Sequence, residues 1–409
     1  MKAWVAAAAL ATAASLHDEA VREDWPAPLY SADPADPWNR IHHLLFTRRL
    51  KASVVVGTEA VRHVERVEGG DLPTFMVMPE AGYLLEEPRY GRLTRALGGE
   101  IAAPSAASRT LEARVLFQQD LWNRFDAVDG FLSLEHPAAK RERAHRLREL
   151  LGRTMARVAC APAELLRIPS SLGDAAREFP EVLDPRTFAP DSGWKELVST
   201  GGDGPVESGT TEHARSAGYR IVFRRFVRLP ETAGGAACLA EAVAQGRRDE
   251  GGPQGCSDHA LPDGTRTVLL ETPLALATDA SLTPVPLIVG LQSRTVASPG
   301  AFQVLHASRA AVARRPLRAG GLEALPQDAL IPMTASAFRR VSGQALVPLK
   351  AACPACHGAR GEALGTGRLQ VRPRTQVLLP DNSIEQDRVA RAKRADAAYA
   401  TLRDLFAAN

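Results

Sequence analysis

Two cysteines and a histidine near the end of the chain have the spacing of a cofactor-attachment site. Cys353 and Cys356 are separated by two residues, and His357 follows directly. Two thiols at this spacing can form thioethers with the vinyl groups on one edge of a porphyrin, and the next imidazole can then reach the iron. The spacing therefore predicts one covalently attached haem, with His357 as the proximal iron ligand.

Two other kinds of site contain the same pair of cysteines. A structural zinc site needs further Cys or His ligands, and none lies in the segment that follows the motif. A thioredoxin-like dithiol opens a helix in a βαβ unit, a context that this segment lacks. Haem attachment is therefore preferred, and an exported binding protein with zinc or a dithiol at the motif is kept as an alternative.

The C-terminal part of the chain resembles the c-type cytochromes. Residues 343–358 read GQALVPLKAACPACHG, which is similar to the first segment of a small single-haem cytochrome c: a glycine, a short amphipathic helix and the haem motif. Residues 384–406 read as a helix similar to the terminal helix that packs across the first helix in that family. Its apolar residues near the end are Tyr399, Leu402 and Phe406.

The resemblance implies haem c and electron transfer, but it does not supply the second iron ligand. A typical member has a methionine downstream of the motif, whereas no Met or His follows His357 here. Met333 is the nearest upstream candidate for the distal ligand, and His306 is the second. An open distal position is the third possibility, and it would favour a haem enzyme or a gas or redox sensor over simple electron transfer.

The N-terminus has the pattern of a secretory signal peptide. One lysine precedes an apolar run from Ala3 to Ala11, and small residues follow. We therefore predict a signal peptide over residues 1–15. The family resemblance implies haem attachment outside the cytoplasm, so a periplasmic or otherwise exported bacterial protein is expected, with a redox partner protein.

Composition narrows the function classes. The 409 residues are 45% hydrophobic and 24% charged, which is typical of globular domains. A net charge of +3 and an aromatic content of 5% do not indicate nucleic-acid binding. No apolar stretch of membrane-spanning length follows the N-terminus, so no transmembrane segment is expected in the mature chain. The oligomeric state is left open.

Three cysteines lie outside the motif. Cys160 lies in a helical pattern and is predicted to be a buried, inert thiol. Cys238 and Cys256 flank a Gly-rich, charged stretch, and they are predicted to form a disulfide in an oxidising compartment.

Hydrophobic periodicity predicts a multidomain α+β protein with a helical N-terminal half, a β-containing middle and a short α-helical cytochrome c-like C-terminal segment. The predicted divisions are a mainly helical domain over 16–198, a linker or loop over 199–217, a β-containing domain over 218–330 and a haem-bearing segment over 335–409.

Three helices are predicted in the N-terminal half, over residues 36–50, 108–131 and 137–160. Asp36 should cap the first, with Pro37 at its first position. His42 and His43 lie in this helix and are assigned structural or surface roles. The last two helices should pack as a hairpin, and the basic face of the third is most simply solvated, with docking of an acidic partner as an alternative. Strands are predicted over residues 219–229, 265–270, 286–292 and 301–307.

Overall fold

The computed structural model of the protein describes most of the predicted helices and strands but not the haem motif. The predicted signal peptide, Cys238, Cys256 and the motif residues Cys353, Cys356 and His357 lie outside the described residues. The described residues are 26–56, 59–71, 80–99, 106–184, 186, 192–199, 217–230, 264–295, 303–314, 321–326, 329–333, 345–349, 369–373 and 384–408.

Helices and antiparallel sheets are both present in the described residues, in agreement with the predicted α+β class. A short 3₁₀ helix covers Gly82–Leu85. The α-helices are α1 Pro37–Phe46, α2 Arg89–Gly99, α3 Leu111–Leu132, α4 Ala138–Val158, α5 Pro162–Leu165, α6 Leu172–Glu178, α7 Arg309–Arg314, α8 Ile384–Arg394 and α9 Ala397–Ala407.

Helix α1 begins as predicted but ends earlier. The Asp36 carboxylate accepts a hydrogen bond of 2.9 Å from the Trp38 N–H, and Pro37 fills the first helical position. The helix ends at Phe46 and not at Leu50, because Thr47 is extended and the chain then enters a strand. The predicted C-terminal end of this helix was therefore wrong.

Helices α3 and α4 confirm the two long helices predicted for the N-terminal half, and they pack against each other. The basic face of α4 is largely paired with nearby acidic groups. Lys140 forms an ion pair of 2.6 Å with Glu86, and Arg148 forms one of 2.5 Å with Asp129. This pairing favours the solvated-face interpretation over an acidic docking partner.

Two sheets organise the strands of the described residues. The strands are β1 Arg48–Val56, β2 Glu59–Glu68, β3 Trp194–Ser199, β4 Ile221–Arg228, β5 Arg266–Leu276, β6 Leu282–Pro284, β7 Gly290–Thr295, β8 Gln303–Ala307, β9 Leu322–Ala324, β10 Leu330–Met333, β11 Ala345–Pro348 and β12 Leu369–Pro373. The first sheet has the order β10-β11-β1-β2, in which β1 and β11 are parallel. The second sheet is eight-stranded, with the order β12-β3-β4-β5-β7-β8-β9, and β6 pairs with β5.

The predicted strands of the middle region are confirmed, with one shift in position. Strands β4, β5 and β8 match three of them, whereas β7 begins only at Gly290 within the predicted range 286–292. Strands from all three predicted regions pair with one another. Strand β3 pairs with β4 across the predicted linker, and β11 pairs with β1. Backbone hydrogen bonds therefore join the regions that the sequence pattern separates.

The C-terminal segment differs from its predicted all-helical form in two places. Residues 345–348, predicted as part of a helix before the motif, form β11; Pro348 is the last residue of that strand and has no N–H to give to a helix. The predicted single helix over 384–406 is two helices. Asp396 accepts a 3.0 Å hydrogen bond from the Ala398 N–H and so caps a new helix, α9.

The terminal helix α9 packs on α4. Tyr399, Leu402 and Phe406 are buried as expected, and the Tyr399 hydroxyl donates a 2.9 Å hydrogen bond to the Ala280 carbonyl. A side chain at Gly152 of α4 would overlap the leucines of α9, which shows how closely the two helices approach. The contact that the described residues show for α9 is therefore with α4.

In the middle of β5, the two faces of the eight-stranded sheet contact different hydrophobic clusters. On one face, Leu270 and Leu291 join the main hydrophobic cluster, which also contains the buried side chains of α3 and α4. On the other face, which we call the Glu271 face, Phe223 and Leu269 join a smaller cluster with Val389 of α8. Within the described part of the chain, no helix has the length and apolar character needed to cross a membrane.

Candidate haem site and its surroundings

In sequence, β11 is the last described strand before the Cys353–His357 motif, and β12 is the first described strand after it. After β11, Leu349 is buried and its N–H donates a 2.8 Å hydrogen bond to the Ala329 carbonyl. After the motif, Leu369 pairs with Ser199 at the edge of the eight-stranded sheet. Leu349 and Leu369, the described residues on either side of residues 350–368, are therefore joined by backbone pairing to different parts of the fold.

Met333 is the last residue of β10, where its backbone pairs with Ala345. Leu330 pairs with Pro348 at the other end of the same two strands. Because the strands are antiparallel, Met333 lies at the end remote from Pro348, from which the chain continues towards the motif. Its role as the distal ligand stays a prediction.

His306 lies on β8 and is 5% exposed. It pairs with Gly290 on one side and with Glu323 on the other. Its Nδ1 has no hydrogen-bond partner among the described residues. Burial lowers the pKa of His306 against the opposing effect of Asp71, and this favours the neutral imidazole, which is the form that binds metals.

Glu271 is a buried carboxyl group two strands away from His306. It pairs with Gly290, which lies between the two residues in the sheet, and a Cβ built on Gly290 would lie 2.5 Å from Glu271 Oε2. Gln292 donates a 3.0 Å hydrogen bond to Glu271 Oε1. Burial nevertheless raises the pKa of Glu271 to about 7. Gly290 thus leaves the space that the Glu271 carboxyl group occupies.

We expect Glu271→Gln to remove a pH dependence of stability. The raised folded-state pKa of about 7 means that the folded protein keeps a proton that the unfolded chain releases near its ordinary value of 4.5. Wild-type stability should therefore fall as the pH rises from about 4.5 to 7, by up to about 3 kcal/mol. Urea unfolding at about pH 5 and pH 8 measures this effect. The free energy of unfolding of the variant should rise relative to that of the wild type only at the higher pH.

The exposed residue Glu142 on α4 supplies the control for this comparison. Glu142→Gln should leave the difference from wild type the same at both pH values. If Glu271→Gln differed from the wild type by the same free energy of unfolding at both pH values, this would contradict a pKa of Glu271 that burial has raised.

A second group of buried charged residues lies at the end of β8. We call Tyr30, His42, Asp71, Asp120 and Arg309 the Asp120 cluster. Asp120 is 0% exposed, and it accepts hydrogen bonds of 2.8 Å from Arg309 Nε and 2.5 Å from Arg309 Nη2. The Tyr30 hydroxyl also donates to Asp120. Although burial acts in the opposite direction, Arg309 holds the pKa of Asp120 below its usual value.

Asp71, which follows β2, and His42, which lies on α1, contact the same group of residues. Asp71 accepts hydrogen bonds from the Arg309 and Ala310 N–H groups at 2.9 and 3.0 Å, at the start of α7. His42 Nε2 lies 3.5 Å from Asp120 Oδ2, and burial lowers the pKa of His42 to about 4. His42 is therefore neutral and packed inside the protein, as its predicted structural role requires.

Cys160 is also as predicted. It is a free, buried cysteine, and burial raises the pKa of its thiol to about 11. Its thiolate is scarce at neutral pH, so this cysteine is a poor nucleophile.

Comparisons with protein families, curated proteins and solved structures found no match for this chain. Among the described residues, no three His, Cys, Asp or Glu side chains are grouped as a metal site would require. Sequence reasoning identified His306 as a candidate ligand but missed Glu271 and the Asp120 cluster. A single Glu in a run of apolar strand residues was the available signal for Glu271.

Proposed function

We propose that this chain is an exported, single-haem c-type cytochrome-like protein that uses its haem for electron transfer. The observation that carries the proposal is the run from Cys353 to His357, with two thiols and an imidazole at the spacing of haem attachment. Haem c, when bound, supplies one-electron chemistry at its iron. Cys353 and Cys356 would hold the porphyrin, and His357 would bind the iron.

The described flanks support this assignment. Strands β11 and β12, which flank residues 350–368 in sequence, belong to two different sheets. His306 offers a buried imidazole whose Nδ1 has no hydrogen-bond partner among the described residues, and a haem iron accepts an imidazole as a ligand. The signal-peptide pattern supports export to a compartment where haem attachment can occur.

An open distal iron position is the second candidate, and it would make the protein a haem enzyme or a gas or redox sensor. The absence of Met and His after His357 in the sequence favours it. The two functions differ in whether the reduced protein binds carbon monoxide readily.

Covalent haem attachment is tested by haem staining after denaturing electrophoresis. We expect wild-type protein, expressed with a cytochrome maturation system, to give a stained band, and we expect Cys353→Ala and Cys356→Ala to lose it. Cys160→Ala is the matched control, because this buried cysteine lies outside the motif, and it should keep the stain. An unstained wild-type band, or stoichiometric zinc in place of haem, would contradict the proposal.

A further inference from the structure

We infer that Lys393 and Asp126 form an isopeptide bond, which is an amide between the Lys393 side-chain amine and the Asp126 carboxyl group. The bond joins α8 to α3, which lies 267 residues earlier in the sequence. It requires neither haem nor any other cofactor, so the inference is independent of the proposed function. It rests on the distances between a buried lysine and three charged groups around it, and on the apolar surroundings of the lysine.

The two reacting groups are already in contact. Lys393 Nζ lies 3.2 Å from Asp126 Oδ1 and 3.1 Å from Asp126 Oδ2. Because Nζ is almost equally distant from both oxygens, the carboxyl carbon between them lies at most about 3.6 Å from Nζ, close to the distance from which a nucleophile attacks. Gly218 packs against the same carboxyl group, since a Cβ there would lie 2.7 Å from Asp126 Oδ2. The carboxyl group is therefore held next to the amine.

The surroundings of this pair favour the loss of water. The side chain of Lys393 is 0% exposed, and the ring of the buried Trp122 lies 5.3 Å from Nζ. Burial raises the pKa of Asp126 against the opposing effects of Lys393 and Arg220, and this favours the uncharged carboxyl group, which an amine can attack. Groups held together in this way can react as if each were present at about 10⁵–10⁸ M. Such proximity can drive an amide formation that is very slow between free side chains.

Two neighbouring charged groups supply the catalysis that the reaction requires. Asp396 Oδ2 lies 2.9 Å from Lys393 Nζ, where it can accept a proton and so make the amine nucleophilic. Arg220 Nε donates a 2.9 Å hydrogen bond to Asp126 Oδ2. The guanidinium group would stabilise the negative charge that develops on this oxygen in the tetrahedral intermediate. The base and the oxyanion-stabilising group thus contact the two reacting groups directly.

The reaction is a condensation, and it uses no oxidant or reductant. The bond between Lys393 Nζ and Asp126 Cγ forms, and the bond between Cγ and Oδ1 breaks. One of the three ammonium hydrogens remains on the amide nitrogen, and the other two leave with Oδ1 as water, one of them by way of Asp396. Oδ2 becomes the amide oxygen, and one positive and one negative charge disappear together. In molecules that have not reacted, the same groups remain an ion pair.

Mass spectrometry of the denatured full-length protein tests the inference. We expect the wild type to be about 18 Da lighter than its sequence and any attached haem require, because one water is lost. After digestion with trypsin, a branched peptide should join residues 125–140 to residues 392–394, since trypsin does not cleave after a lysine whose amine is part of an amide. Wild-type protein of full mass that gives no branched peptide would overturn the inference, whatever the variants show.

Three variants assign the bond to its residues. Lys393→Arg keeps the positive charge but lacks the amine, so it should have its full mass. Asp396→Asn keeps a residue type that can cap α9 but removes the base, so it should contain less of the branched peptide than the wild type. Lys51→Arg is the control: Lys51 lies 2.8 Å from Glu65 on the exposed surface, where contact alone should form no bond, so this variant should be as light as the wild type. A loss of water that persists in Lys393→Arg would overturn the assignment.

Discussion

Arg309→Met is expected to lower the free energy of unfolding by about 3–5 kcal/mol, because it removes the cation from a buried ionic cluster. Asp120 would lose hydrogen bonds of 2.8 and 2.5 Å, and Asp71 would lose its nearby guanidinium at 3.4 Å. Asp120 is fully buried, so water cannot replace what is lost. The Tyr30 hydroxyl would remain as a donor, but it carries no positive charge.

Equilibrium unfolding in urea measures this effect, and Arg146→Met is the matched control. Arg146 pairs with Glu149 at 3.0 Å on the exposed surface of α4, so its loss should change stability by less than about 1 kcal/mol. A similarly small change for Arg309→Met would contradict the assigned role of the cluster.

The pH dependence gives a second readout for Arg309→Met. Arg309 keeps the pKa values of Asp71 and Asp120 low in the folded protein, against the effect of burial. A carboxyl group with a lowered folded-state pKa stabilises the protein above its ordinary pKa, and this contribution is lost as the pH falls through the folded value. The difference between wild type and variant should therefore shrink in acid.

Lys393→Met is expected to lower the free energy of unfolding by about 3 kcal/mol. Lys393 on α8 is 0% exposed, and its Nζ lies 3.1 Å from Asp126 of α3 and 2.9 Å from Asp396. Arg220 remains 2.9 Å from Asp126 in the variant, so the effect should be at the lower end of the range for a broken buried ion pair. This bond ties the segment after the haem motif to the helical core.

Hydrogen exchange distinguishes a local effect of Lys393→Met from a global one. We expect exchange to increase most in α8 and α9, because Lys393 joins them to α3. Lys51→Met is the control, because the ion pair of Lys51 with Glu65 is fully exposed and its loss should change stability little. A uniform increase in exchange along the chain, or no change in stability, would contradict the anchoring role.

Local sequence signals predicted the elements whose ends are marked by local chemistry. Asp36 and Pro37 predicted where α1 begins, and the apolar periodicity predicted α3 and α4. The end of α1 was missed although Val54 begins a run of three valines, which favours a strand. The break before α9 was also missed, although Asp396 is a residue type that commonly caps a helix and so was a signal for a new helix.

Features that depend on distant parts of the chain could not be predicted locally. Arg309 and Asp120 are 189 residues apart in sequence, and neither position has a neighbouring motif that would indicate their contact. The apolar residues around Val347 fit a short helix as well as a strand. They form strand β11 because they pair with β1 and β10, which are distant in sequence or separated by undescribed residues. His306 was a candidate from its residue type alone, whereas its burial on β8 is visible only in the structure.

The parallel pairing of β1 with β11 has a consequence for the order of folding. Ser53 pairs with Ala345, so the ribosome must make most of the chain before this contact can form. Contacts between such distant residues form slowly, because a long loop has to close first. Until then, the β1 edge is open to pairing with strands of other chains. The four-stranded sheet is therefore completed late, when Cys353 and Cys356 have already been synthesised or are about to be.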